Sequence, residues 1–172
     1  MGLSLWYYIA AIAIFAFIQW KRKKLSISIL VSYIFLVLST TVFSRQSRET
    51  VAYNSIPLKF LLAEDEWTRQ DYLRQMWANA VMFIPFGFLM PHVFKHKKGD
   101  KVLFKILGIL LTIITSLFIS AGIEYLQLSL KRGYSEIDDV IGNMFGTVIG
   151  IIIYVMYPIW TRQHKVHMNR NC

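Results

Sequence analysis

Five long apolar runs, at roughly 3–20, 25–43, 76–94, 102–127 and 140–160, take up most of this 172-residue chain. Each approaches the ~20 residues that an α-helix needs to cross a hydrocarbon core of ~30 Å. Inside lipid the backbone must satisfy its own N–H and C=O groups, which leaves only helices and closed barrels. These runs are too long and too continuous for barrel strands, which alternate over about ten residues. The fold class read from them is all-α: a polytopic membrane helix bundle of about five transmembrane helices, forming a single membrane domain over 1–172. The first run does not read as a cleaved signal peptide. No positive n-region precedes it, no small-residue cleavage site follows it, and Lys21-Arg22-Lys23-Lys24 comes after it.

Charge sets an expected orientation. Only 17% of residues are charged, against about 25% in an ordinary soluble domain. The net charge of +9 does not point to nucleic acid, because no basic groove with interleaved aromatics appears. Instead, the positive residues form short blocks between apolar runs. Those at 21–24, at Lys95, Lys97, Lys98, Lys101 and Lys105, and at Arg162, Lys165 and Arg170 alternate correctly to share one side. That side carries 12 of 19 basic residues and one acid, Asp100; the other carries seven basic residues and nine acids. The positive-inside rule then puts the N-terminus outside and the C-terminus in the cytoplasm. Cys172 is the only cysteine, which excludes an intrachain disulfide.

The expected outer loop, roughly 44–75, holds Asn54-Ser55-Ile56-Pro57, then Leu58, Phe60, Leu61 and Leu62, then Glu64-Asp65-Glu66 and Trp67. So many apolar residues suggest a stretch lying on the membrane surface with Trp67 at headgroup level. A cap folded back over the bundle fits equally well.

Polar side chains gather at one end of the runs. Glu124, Gln127, Glu136, Asp138, Asp139 and Asn143 surround the turn between the fourth and fifth spans, and Asn79 lies just inside the third. With helix rise of ~1.5 Å, Glu124 lies about 33 Å beyond Val102, at the outer boundary. Gln127 shares its face, as Asn143 shares that of Asp139. Ionisable groups in such segments are costly and call for a functional account, although Asn can simply bond helix to helix. Arg132 is the expected counter-ion for Glu124 or Asp139. Gly142, Gly146 and Gly150 follow a small-xxx-small pattern that lets helices approach closely. Asp139, Asn143, Gly146 and Gly150 share one stripe, carrying the polar groups into a helix interface. Pro85, followed by Gly87, predicts a kink. The four histidines, His92, His96, His164 and His167, fall at or beyond the inner ends. That leaves the outer cluster without ligands for a zinc-type centre or a histidine base. No cofactor is expected; a divalent cation would need the carboxylates to converge.

The runs NAVMFIPFGFLM from Asn79, EYLQ from Glu124 and KRGYSEIDDVIGNMFGTVIG from Lys131, with Asn54-Ser55-Ile56-Pro57, resemble the VanZ-like family over about 50–155. By that resemblance Asn79, Pro85, Gly87, Glu124, Gln127, Arg132, Asp139, Asn143 and Gly146 occupy the family's marked positions. Glu136 stands where an aspartate is more usual. The resemblance implies a multi-pass protein of the bacterial cytoplasmic membrane, in a family whose founding member gives low-level teicoplanin resistance without altering the D-Ala-D-Ala target.

Three functions follow as expectations. The first is a non-enzymatic envelope protein whose outer polar site engages a glycopeptide, lipoglycopeptide, cell-wall precursor or envelope polymer. The second is a membrane-embedded enzyme acting on a lipid-linked substrate, with Glu124 and Asp139 as acid and base. The third, a small-solute transporter, is disfavoured by span middles that read as almost wholly apolar. The lipid bilayer is the one partner common to all three, and the sequence leaves the oligomeric state open.

Overall fold

The computed structural model describes residues 3–22, 25–43, 45, 52–94 and 102–170. Lys23, Lys24, Lys95, Lys97, Lys98, Asp100, Lys101 and loop residues 46–51 lie outside them, as do the side chains of Arg162, Lys165 and Arg170. The apolar runs form five helices: α1 (Leu3–Arg22), α2 (Leu25–Leu38), α3 (Glu66–Val93), α4 (Val102–Ser129) and α5 (Ile137–Arg170). Three of them contain stretches long and apolar enough to cross a membrane, namely α3, α4 and the Ile137–Tyr157 part of α5. The described apolar stretches of the first two are shorter, Ile9–Gln19 and Ile27–Phe43.

α3 begins well before its apolar part, because Asp65 caps it. Asp65 is extended, and its Oδ1 accepts from the Thr68 N–H at 2.8 Å, satisfying one of the orphan donors of the first turn. That bond holds the exposed Asp65 carboxyl below the usual carboxylate range. The helix then runs unbroken through Pro85 and Pro91, with Pro85 exposed and Gly87 buried. At ~1.5 Å per residue α3 and α4 are each about 42 Å long, the thickness of a bilayer with its headgroups.

Glycine determines how α3 meets α5. A Cβ on Gly146 would come 1.9 Å from the Ala80 carbonyl oxygen, one on Gly150 2.2 Å from that of Ile84, and one on Gly142 2.7 Å from that of Met76. From the other side, a Cβ on Gly87 would meet the Thr147 carbonyl at 2.1 Å. Residue numbers rise together along this seam, so α3 and α5 run parallel. α4 runs antiparallel to both. Beside them, Leu30, Val37 and Val42 pack on Phe83 and Phe86 of α3 and Ile123 of α4. α1 leans on α2.

Two three-residue strands lie at the end of the bundle where α4 turns into α5. β1 (Ala52–Asn54) pairs in parallel with β2 (Tyr134–Glu136), in the register Ala52 to Tyr134 and Asn54 to Glu136. The described part of the loop before α3 therefore folds back as a cap. A 3-10 turn, Lys59–Leu61, completes it.

Candidate functional site

A polar ladder joins α4 to α5. Thr112, Ser116, Ser120 and Glu124 recur every four residues on α4 and are all buried, so one stripe of that helix faces inward. Ser116 Oγ and Thr147 Oγ1 share a hydrogen bond at 2.6 Å. One turn along, Asn143 Nδ2 donates to Ser120 Oγ at 2.8 Å. Continuing this antiparallel register by four residues on each helix brings Glu124 opposite Asp139, whose negative charge acts on the Glu124 carboxylate. Asp139 is 3% exposed and Asn143 2%. The ladder thus ends in two buried acids.

α3 and the cap close this end from two other directions. Gln75 Nε2 donates to Asp139 Oδ1 at 2.9 Å and to Glu136 Oε2 at 3.3 Å. Asn79, one turn along α3, is buried against Gly142. Glu124 Oε2 accepts from the Glu136 N–H at 2.8 Å, next to the buried Ser135. Glu136 itself pairs with Lys59 Nζ at 2.7 Å, and that ammonium also stands 5.0 Å from the centre of the Tyr72 ring. Asp138 accepts from the backbone N–H groups of Leu58 (2.5 Å) and Lys59 (2.9 Å). Leu58 there has φ 56°, a left-handed conformation rarely adopted by a branched residue. Glu136 and Asp138 therefore anchor the cap, while Glu124, Asp139, Asn143 and Asn79 lie among the helices beneath it.

Two expected site residues also bond to the end of α2. Past Leu38 that helix widens into a π-turn, Ser39–Phe43, where the Ser39, Thr40 and Thr41 hydroxyls bond back to carbonyls three or four residues earlier. The last carbonyls of a helix lack partners within it. Gln127 Nε2 supplies one to Thr41 O at 2.9 Å, and Arg132 Nη1 supplies one to Phe43 O at 2.7 Å. Arg132 is thus a helix cap, which corrects its reading as counter-ion to Glu124 or Asp139. Arg45 acts electrostatically on both carboxylates, and Lys59 acts on Asp139. Arg45 reaches over Gly133, which has φ 84° and where an added Cβ would come 2.7 Å from Arg45 Nη1.

The cluster is not fully satisfied. Asn79 Nδ2, Gln127 Oε1 and Asn143 Oδ1 are buried without a hydrogen-bond partner. A buried polar atom left unpaired costs about 1–3 kcal/mol, so three at one end of a bundle are a standing cost that a bound group of complementary polarity would remove. One is a donor and two are acceptors, suiting a ligand with both characters. Among the described residues no group of three His, Cys, Asp or Glu side chains could hold a metal ion.

Asp139, Asn143, Gly146 and Gly150, expected on one stripe, divide between two neighbouring helices. Gly142, Gly146 and Gly150 face α3, Asn143 and Thr147 face α4, and Asp139 touches α3 while opposing α4. Lys59, Gln75, Arg45, Ser116, Ser120 and Thr147 also belong to the cluster without having been singled out. The four-residue recurrence of Thr112, Ser116, Ser120 and Glu124 was the available signal for the ladder.

The VanZ/LLP1 family model matches residues 5–160. That match extends beyond the 50–155 stretch of the motif resemblance and takes in most of α1. Protein VanZ of Enterococcus faecium is 28% identical over 144 residues, covering 84% of this chain and 82% of that protein. No solved structure matches significantly. The family match spans the α3·α5 seam, the α4·α5 ladder and both anchors of the cap, and this chain belongs to the VanZ/LLP1 family.

Proposed function

We propose that the chain is a five-span protein of the bacterial cytoplasmic membrane, with its N-terminus outside. In this reading its Glu124·Asp139 site binds a glycopeptide, lipoglycopeptide or cell-wall component at the outer leaflet without itself catalysing a reaction. Low-level teicoplanin resistance is the phenotype this function would give. The observation that carries the reading is the set of unpaired buried amide atoms on Asn79, Gln127 and Asn143 beside two carboxylates. The charge asymmetry of the loops supports the orientation.

The test is teicoplanin and vancomycin susceptibility in a deletion strain complemented with Asn79→Ala, Asp139→Asn or Asn143→Ala, beside blotting of the membrane fraction. Loss of the phenotype at near-normal abundance is the expected result; full activity in all three variants would move the site elsewhere. For orientation, a cysteine at Tyr134 should label in intact cells and one at Gly99 only after permeabilisation, and the reverse would put the site in the cytosol.

Opposition of Glu124 and Asp139 on one rung favours a second reading, acid–base catalysis on a lipid-linked envelope substrate. Glu124→Gln separates the two. An enzyme would lose turnover while keeping its ligand, whereas a binding protein would keep its phenotype, because an amide retains the acceptor for the Glu136 N–H.

A further inference from the structure

The cap turn carries opposite characters within a few residues. Lys59 is 6% exposed and turned inward onto Glu136, whereas Leu61 and Leu62 are 60% and 67% exposed. Ile56 and Leu58 are exposed beside them. Hydrogen bonds fix the height of this turn. Leu58 and Lys59 donate to Asp138 in the first turn of α5, and Gln75 donates to the neighbouring Glu136 and Asp139. The leucines are therefore held near the level of Gln75 on α3.

At that level the outer surface of α3 changes. Just before Gln75 it exposes Asp71 and Arg74; just after, it exposes Trp77 and Val81. A helix surface that switches from charged to apolar, with tryptophan at the switch, marks the edge of the hydrocarbon. Counting along α4 agrees, since Glu124, which accepts from the Glu136 N–H, lies about 33 Å beyond Val102, against a core of ~30 Å. Trp67 is eight residues before Gln75 and so stands about 12 Å further out.

The geometry points to a bilayer-seated cap: Ile56, Leu58, Leu61 and Leu62 insert into the headgroup–acyl boundary of the leaflet beside the carboxylate cluster, while Lys59 locks the same turn to the bundle. The partner of this face is lipid. Amphipathic segments of this kind bury their apolar face ~5–10 Å into that boundary. The inference holds whichever leaflet this end of the bundle occupies, and whatever ligand the cluster takes.

The experiment uses the full chain with Cys172→Ser, in nanodiscs of phosphatidylcholine and phosphatidylglycerol, with an environment-sensitive fluorophore on Leu62→Cys or, for comparison, on Arg69→Cys. Both positions are exposed, so labelling leaves the packing intact. At position 62 the expected result is strong loss of fluorescence to lipids spin-labelled at carbon 5 and little loss to iodide. At position 69 iodide should quench and the lipid label should not. Equal iodide quenching at both positions, with no loss to the lipid label, would overturn the proposal. Excimer formation between pyrene-labelled copies at position 62, without lipid quenching, would assign the face to self-association and overturn it as well.

Discussion

α5 meets its two neighbours by unlike means. Against α3 it presents glycine, and main chain packs on main chain so closely that a Cβ at Gly146 would come 1.9 Å from the Ala80 carbonyl oxygen. Against α4 it presents Thr147 and Asn143, and contact is made by hydroxyl and amide groups, with the Asp139 carboxylate one turn beyond them on the side of Glu124. In lipid no hydrophobic force draws helices together, so close packing and interhelical hydrogen bonds are the means available. At Gly146 and Gly150 the glycine seam is backbone against backbone. The polar seam leaves Asn143 Oδ1 without a partner, with Asn79 Nδ2 unpaired close to Gly142. The first seam is built by packing alone; the second keeps unpaired polar atoms, and it is there that the proposed ligand would gain contacts.

This contrast can be broken most severely at the glycines. Gly146→Leu should lower stability by about 3 kcal/mol or more, since overpacking against backbone has no side chain to yield, and it should be read as loss of membrane abundance. Gly122, whose added Cβ would meet nothing within 4 Å, is the control; Gly122→Ala should leave abundance normal. Equal losses at both positions would remove the special status of the seam.

The next effect belongs to the cap. Asp138→Ala removes the acceptor of the Leu58 and Lys59 N–H groups and should release the turn at a cost of about 2 kcal/mol. Amide exchange at those two residues should accelerate while exchange along α3 stays unchanged. Exchange that remains slow at both would show that the β1–β2 pairing holds the cap alone.

The smallest effect is expected within the ladder. Thr147→Val keeps the volume but strips Ser116 Oγ of its partner, and hydrogen bonds of this kind are worth about 0.6–2 kcal/mol. A small fall in the melting temperature of the detergent-solubilised protein, with undiminished abundance, is the expected outcome. A collapse like that of Gly146→Leu would mean that both seams serve packing alone.

Much of this was legible in the sequence, for identifiable reasons. The runs that became α3, α4 and α5 are long and apolar, and glycine every fourth residue has few meanings other than close packing. The co-location of Glu124, Asp139 and Asn143 follows from helix rise and one short turn. The ladder was harder to see, because Thr112, Ser116 and Ser120 are small and pass for neutral filler in an apolar run. Only a partner helix reveals that they share a face. Lys59 was invisible for a different reason. Its burial depends on Glu136 and Asp138, nearly eighty residues away, and on a three-residue parallel pairing too short to show alternation. Arg132 misled because proximity in sequence to Glu124 suggested an ion pair, whereas its guanidinium donates to the Phe43 carbonyl at the end of α2.

Opposition of Glu124 and Asp139 at the end of the ladder is tested directly by a cysteine pair. In full-length Cys172→Ser protein in native membranes, Glu124→Cys with Asp139→Cys should form an intramolecular disulfide under mild oxidant. Glu124→Cys with Thr147→Cys, two rungs apart, should not. A disulfide in the first pair alone is the predicted result. Absence of cross-linking in correctly inserted first-pair protein, or equal cross-linking in both, would contradict the register and separate the carboxylates into unrelated residues.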